Sequence, residues 1–257
     1  MERRAISDIK KLFEAADMES VPELCARFRD DDRKGVISLC ASYMKKYNGC
    51  ITELKRLEDM AYYEEMLYGG GYTLIAGIDE AGRGPLAGPV AAGCVILKSD
   101  SRILGINDSK KLSAAKREEL SAIIKEEALA YGIGMASPAE IDDINILQAT
   151  YLAMRRAIEG TAVKPGFILA DAVTIPGIDI PQRGIIKGDA KSMSIAAASI
   201  VAKVERDAVM DSYAEIYPEY GFKSNKGYGS AEHIAAIKKY GLTPIHRRSF
   251  VKHFTGE

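Results

Sequence analysis

Residues 72–97 read YTLIAGIDEAGRGPLAGPVAAGCVIL, and they set two adjacent carboxylates, Asp79 and Glu80, beside a glycine-rich turn. Tyr72 to Ile78 is short, apolar and rich in β-formers, which predicts a mostly buried strand. Successive side chains on a strand point to opposite faces, so the two acids can share one site only if the chain bends directly after them. Gly82-Arg83-Gly84-Pro85 supplies the bend, and Val90 to Leu97 returns as a second strand, with Pro85 and Pro89 confined to its entry. The spacing Gly82-x-Gly84-x-x-Ala87 mimics a dinucleotide fingerprint. That motif must open a helix, whereas here Pro85, Gly88 and Pro89 lead into a β-rich run. An ordinary hairpin with a solvated acid pair is the plainer reading. Against it, a Gly-Arg-Gly loop brings bare backbone N–H groups and a guanidinium close to whatever the acids hold, which suits a phosphate oxygen or a sugar hydroxyl.

Outward from this stretch, Phe167 to Asp171 is a second buried strand ending in a carboxylate, and Asp171 is either a turn-starting aspartate or a strand-end group lying beside Asp79. Residues 185–192, IIKGDAKS, precede a helix from about Met193 to Tyr213, at whose start Asp189 either caps or projects into a site. Asp207, later on that helix, is expected to pair with Lys203. Helices are also predicted over Ala114 to Ala130, after Lys110-Lys111, which either face phosphates or are plain surface charges, and from a capping box at Ser137 to a stop at Gly160 with Leu147, Tyr151, Met154 and Ile158 inward. Asp142-Asp143 are read as first-turn dipole partners. A short third strand is expected at Tyr131 to Met135. Near the end, Lys223 to Ser230 combines two lysines with Tyr228 between glycines, where a ring can stack on a sugar or a base. His233 and His246 are expected to orient the C-terminal tail or touch phosphates.

Residues 1–68 read as helical, with segments near Ile6 to Ala16, Val36 to Lys46 and Ile51 to Leu67, and Gly69-Gly70-Gly71 predicts a joint. The expected domains are therefore residues 1–71, a helical extension with a glycine linker, and residues 72–257, the catalytic domain with a C-terminal helical region. The 257 residues are 47% hydrophobic and 28% charged, which fits a substantial core. No run reaches membrane-spanning length and no apolar segment follows Met1-Glu-Arg-Arg, so a cytoplasmic protein away from membranes is expected. The four cysteines, Cys25, Cys40, Cys50 and Cys94, lack paired metal spacing. Formal net charge is −1. Its distribution is uneven: residues 183–253 hold twelve basic against seven acidic side chains, whereas residues 1–68 hold twelve against fourteen, so the C-terminal third is either the phosphate-facing side or a merely solvated basic surface.

The string GIDEAGRGPLAGPV resembles the opening motif of the type 2 ribonuclease H family, in its bacterial HII branch, and KGDAKS followed by SIAAASIVAK is similar to a later segment of that family. The resemblance covers about residues 72–250 well and the extension weakly. It implies an α/β, ribonuclease H-like fold: a mixed sheet flanked by helices, with the helical N-terminal extension and C-terminal helices. Asp171 would be the family's third acid and Asp189 its fourth, after Asp79 and Glu80. Four converging carboxylates repel unless cations neutralise them, and hard oxygen donors point to Mn2+ or Mg2+. Two such ions would serve phosphodiester hydrolysis. The resemblance further implies an endoribonuclease that cuts RNA in RNA/DNA hybrids, and 5′ to a single ribonucleotide in duplex DNA, leaving 3′-hydroxyl and 5′-phosphate ends. Gly82, Arg83 and Gly84 would read the ribose 2′-hydroxyl and Tyr228 would press on the next deoxyribose; Lys187 and Lys226 are also expected to bind substrate. A monomer is expected. The alternatives are another two-metal nuclease of this fold and a non-catalytic binding module; clustered negative charge does not help to bind a polyanion.

Overall fold

The computed structural model describes residues 4–255, with side chains as far as Lys252. The Met1-Glu2-Arg3 start lies outside the described residues, and the side chain of His253, the end of the basic third, is likewise not described. The chain forms two compact units, Met1–Glu58 and Asp59–Glu257.

In the first unit, α1 (Ile6–Ala15) and α2 (Val21–Arg27) precede α3 (Lys34–Met60). Ile9, Phe13, Val21, Leu24 and Val36 form its core. The two helices expected from Val36 onward are thus one long helix, which stops at a break near Ala61 before α4 (Tyr62–Gly69). Nothing at Tyr47 to Cys50 breaks a helix except Gly49, whose missing side chain alone is tolerated mid-helix. The triple glycine ends α4 by hydrogen bonds, Gly70 N–H to Met66 and Leu67 carbonyls and Gly71 N–H to that of Tyr68, and it lies inside the second unit.

The second unit is built on five strands, β1 (Ile75–Ala81), β2 (Val90–Ile96), β3 (Ala130–Ala136), β4 (Phe167–Asp171) and β5 (Gln182–Ile185). Their order across the sheet is β3-β2-β1-β4-β5. β1 runs antiparallel to β2, and β2 to β3, while β4 lies parallel to β1 and β5 parallel to β4. The sheet is mixed. β5 carries no apolar signal because Arg183 and Gly184 on this edge strand are exposed, so composition hides it.

α6 (Pro138–Glu159) covers one face, where Ala153, Met154 and Ala157 pack with Ala76, Ile78, Ala92 and Cys94. Its capping box at Ser137 and Glu140 forms as predicted. Asn145, however, has φ 68°, and its Oδ1 accepts from the Leu147 and Gln148 amides, so the helix restarts there. The kink leaves Leu147, expected inward, 41% exposed. Asp142 does not serve its own helix's first turn: its carboxylate accepts the Arg248 and Ser249 amides and caps α10 (Arg248–Thr255). Between these elements run α5 (Ala114–Glu127) and, further along the chain, the short α8 (Phe222–Asn225) and α9 (Ala231–Tyr240). No helix among the described residues is long and apolar enough to cross a membrane.

The opposite face is taken by α7 (Met193–Ile216), whose first half is buried all round. It lies on β1 at Gly77, where a Cβ would fall 1.9 Å from the Ser194 carbonyl carbon and 2.2 Å from the Ile195 nitrogen. Backbone cannot yield as a flexible side chain can, so only glycine permits this approach. Gly77→Ala is expected to lower unfolding free energy by about 2–3 kcal/mol, read as a shift in urea midpoint at constant slope; a loss under about 0.5 kcal/mol would show that α7 can retreat freely.

Candidate active site

Asp79 and Glu80 lie just past the last pairing of β1 with the parallel strand β4, that of Ile78 with Ala170, but β1 still pairs with β2 through Ala81, so the expected bend comes one residue after the acids rather than directly after them. The register therefore sets Asp79 beside Asp171 at the carboxyl edge of these two parallel strands, where sites gather in such sheets. Asp171 Oδ1 accepts the Gly188 N–H at 2.7 Å. That contact fastens the 3-10 turn Gly188–Ala190, which carries Asp189, beside the strand end. Asp79 and Asp189 are both buried.

The acids feel one another. Burial first, then the neighbouring Glu80 and Asp171 charges, hold Asp79 well above the usual carboxylate range, against hydrogen bonds from Ser199 and the Glu80 amide. Glu80 is raised by burial and Asp171, although Arg83 and Lys110 oppose this; its Oε1 accepts from Arg83 Nη1 at 3.2 Å. Asp189 is raised by burial, then by Asp108 and Asp171. Lys110, on the 3-10 turn Ser109–Lys111, is pulled down by burial, but Asp79, Asp108, Asp189 and Asp171 more than offset this and its pKa is raised.

Two buried arginines shape the turn after the acids. Arg206 of α7 donates to the carbonyls of Pro89, Lys226 and Ala87 at 2.9, 3.0 and 3.2 Å. Arg247 donates to Gly88, Arg83 and Gly82 at 2.9, 2.7 and 2.6 Å and to Pro89 at 3.1 Å. Both are wholly buried. Desolvation lowers each guanidinium pKa, and for Arg247 the Arg206 charge adds to it. Gly82 has φ +88°, and a Cβ there would fall 1.8 Å from Arg206 Nε. A trans peptide sets N–H opposite C=O. With the Gly82 and Arg83 carbonyls drawn inward to Arg247, the Arg83 and Gly84 N–H groups turn outward, at two exposed residues.

Tyr228 borders this turn. A Cβ on Gly84 would lie 3.7 Å from its ring, and the tyrosine is 48% exposed. The loop beneath is stapled to the turn by the Leu86 and Ala87 amides on the Gly227 carbonyl. Of the expected lysines, Lys226 bonds Asp211 through its ammonium, while Lys187 is exposed next to the acid turn with φ 57°. His233 and His246 are buried, with ring nitrogens 3.0 Å apart; enclosed beside Tyr220 and Phe222, they are too deep to touch phosphates. Asp207 pairs with Lys203 at 2.7 Å.

Sequence reasoning passed over Asp108 and left Lys110 between a phosphate contact and a plain surface charge. It also missed Ser199, which reaches Asp79 and is 2.9 Å from Ser109, and both buried arginines. Their signal was slight: an acid two positions before a pair of lysines, a serine inside the alanine-rich SIAAASIVAK, and arginines among other charged side chains, in Glu205-Arg206-Asp207 and His246-Arg247-Arg248.

Could these residues hold a metal? The donors are carboxylate oxygens, which suit hard divalent cations, and Asp79, Glu80 and Asp189 are raised by burial first and by neighbouring carboxylates second, a cost of charge that such cations relieve. Among the described residues no three acidic, His or Cys groups already lie as close as one ion's shell requires. The set fits by chemistry and sign, with the carboxylates spread.

Comparison with known proteins agrees in both units. The family model described as Ribonuclease HII matches residues 76–253, and that of the Ribonuclease HII N-terminal domain matches residues 5–68. A ribonuclease HII of Clostridioides difficile (strain 630) is 54% identical over 252 residues, 98% of this chain and 99% of the relative. One from Desulfitobacterium hafniense (strain DSM 10664 / DCB-2) is 50% identical over 248 residues, covering 96% and 94%. Among solved structures, the ribonuclease H2 from Pyrococcus horikoshii OT3 aligns with TM-score 0.59 at 29% identity, over 71% of this chain and 99% of its own.

The raised carboxylates predict a pH dependence. Their folded pKa values exceed the unfolded ones, so the folded state binds more protons, and stability without divalent ions falls as pH rises from the ordinary carboxylate range through the raised values. Asp79→Asn removes one such charge, and in chelator at neutral pH it is expected to raise Tm by about 2–4 °C. The gain should shrink toward pH 4 or on adding Mg2+; a Tm drop in chelator would refute the repulsion.

Proposed function

This chain belongs to the ribonuclease HII family, whose members are type 2 ribonucleases H, and we propose that it is a metal-dependent endonuclease for RNA in RNA/DNA hybrids and for single ribonucleotides in duplex DNA. The observation that carries this reading is the juxtaposition of a buried, mutually repelling carboxylate set with a turn whose N–H groups face outward beside an exposed tyrosine.

Asp79, Glu80, Asp171 and Asp189 would hold Mn2+ or Mg2+. When bound, such ions supply an activated water and charge neutralisation for the departing oxygen. The chain's own residues do the rest. The Arg83 and Gly84 amides, held by Arg247, offer donors to a ribose 2′-hydroxyl, the one group RNA adds at that position. Tyr228 offers its ring to the adjoining sugar, and Lys187 a charge to the backbone. Lys226 contributes less directly, since Asp211 holds it. Water adds to phosphorus as the bond to the 3′-oxygen of the preceding nucleotide breaks, so a 3′-hydroxyl and a 5′-phosphate result.

The test is cleavage of an end-labelled duplex carrying one ribonucleotide, with Mg2+, with Mn2+ and with chelator. One metal-dependent cut immediately 5′ to the ribonucleotide is expected. Cutting of long hybrids alone would discard the junction reading, and cutting in chelator would discard the metal. Asp171→Asn should lower kcat by about a hundredfold or more while substrate still binds. Tyr228→Ala should lose about 1–3 kcal/mol of recognition, mostly at the single-ribonucleotide junction; an equal loss on long hybrids would remove Tyr228 from junction sensing.

A further inference from the structure

Glu64 is a buried carboxylate on α4, a helix whose Tyr62 and Met66 are 60% and 41% exposed. Its Oε1 accepts three hydrogen bonds from the start of α7: Ser192 Oγ at 2.6 Å, Ser194 Oγ at 2.6 Å and Ser194 N–H at 3.0 Å. Ser192 is the N-cap of α7, its Oγ accepting the Ile195 amide. A helix start has unpaired N–H groups and a partial positive charge, so an anion there stabilises this conformation.

From this clamp the structure runs to three of the four acids. The Ser192 N–H donates to the Gly188 carbonyl at 2.8 Å, and the Gly188 N–H donates to Asp171 Oδ1 at 2.7 Å. Asp189 sits on the turn between those two bonds. Ser194 and Ile195, which the carboxylate steadies, are the backbone that lies on Gly77 of β1, two positions before Asp79. Two turns along α7, Ser199 reaches Asp79 itself.

We propose that Glu64 is a positioning residue for the metal-holding acids: by clamping the first turn of α7 it fixes the Gly188–Ala190 turn and the β1 contact, and so the spacing of Asp79, Asp171 and Asp189. It touches neither substrate nor metal. This rests on the reading of those acids as metal ligands. Outer partners that orient a ligand change metal affinity by about 10–100-fold when removed, so the effect is measurable without catalysis.

The test compares the full chain with Glu64→Gln and Glu64→Ala. The other carboxylate oxygen of Glu64 has no hydrogen-bond partner, and the residue borders a cavity of about 20 Å3, so glutamine can keep an acceptor on the serines and set its amide in place of the unpartnered oxygen. Mn2+ binding is followed by the electron paramagnetic resonance of free Mn2+, with kcat and KM on a hybrid measured alongside. Mn2+ affinity and kcat should fall in the order wild type, Gln, Ala, by about tenfold for Ala, with KM within about twofold. A protein whose Tm falls while Mn2+ affinity and kcat stay at wild-type values would make Glu64 a structural cap and overturn the proposal. Should Glu64→Ala not fold, Glu64→Gln decides alone, and wild-type Mn2+ affinity there overturns it. A wild type that binds Mn2+ but cuts no hybrid would sink the proposed reaction and leave the affinity series to judge Glu64; a wild type that binds no Mn2+ sinks both.

Discussion

The first turn of α7 lies on β1 at Gly77 with its backbone where any other residue's Cβ would sit, and the arrangement of the acids follows from that approach. It brings Ser199 to Asp79 and sets the turn bearing Asp189 against the end of β4. Small residues on α7, Ala196 to Ala198, keep this approach along the helix. Interiors packed to crystal density transmit such constraints rather than absorbing them. The acids are therefore held by a rigid sheet and helix, and loop chemistry enters only at the turn after Glu80.

Charge decides what the cluster is suited for. Four carboxylates, with Asp108 nearby, face Lys110 and Arg83 as the cations the titration shifts identify. One ammonium and one half-exposed guanidinium leave the set net negative, and an incoming phosphodiester adds negative charge of its own. A binding module for nucleic acid would gain nothing from this. Divalent cations would relieve the imbalance, and the raised pKa values of Asp79, Glu80 and Asp189, due to burial first and neighbouring carboxylates second, carry the same cost in protonation.

How much of this could be read in the sequence depended on whether a feature was local. The strand leading into Asp79, the return at Val90, the capping box at Ser137 and the strand ending at Asp171 each carry a periodic or capping signal within a few residues, and the structure has them all, although the first runs from Ile75 to Ala81 rather than from Tyr72 to Ile78. β5 does not, because an edge strand exposed at Arg183 and Gly184 lacks the apolar pattern. The kink at Asn145 was hidden by an uninterrupted helical period, and Asp142 looked like a partner for its own helix when it caps α10. In the site, the acids stood at recognisable strand and helix ends. Arg206, Arg247 and Glu64 act across more than a hundred residues of chain, and no single-chain pattern reports such pairs.

The buried arginines explain why the turn after Glu80 can be both irregular and fixed. A chain leaving a sheet through Gly82 to Pro89 carries carbonyls that no strand satisfies, and burying them unpaired costs about 1–3 kcal/mol each. Water could satisfy them only if the turn were open and mobile. Lysine would offer a point charge, whereas guanidinium presents a planar fork that reaches several acceptors at once. Arg247 alone spans four carbonyls. By drawing oxygens inward it leaves the amides of Arg83 and Gly84 outward, so the group that stabilises the turn also selects which backbone atoms a ligand meets.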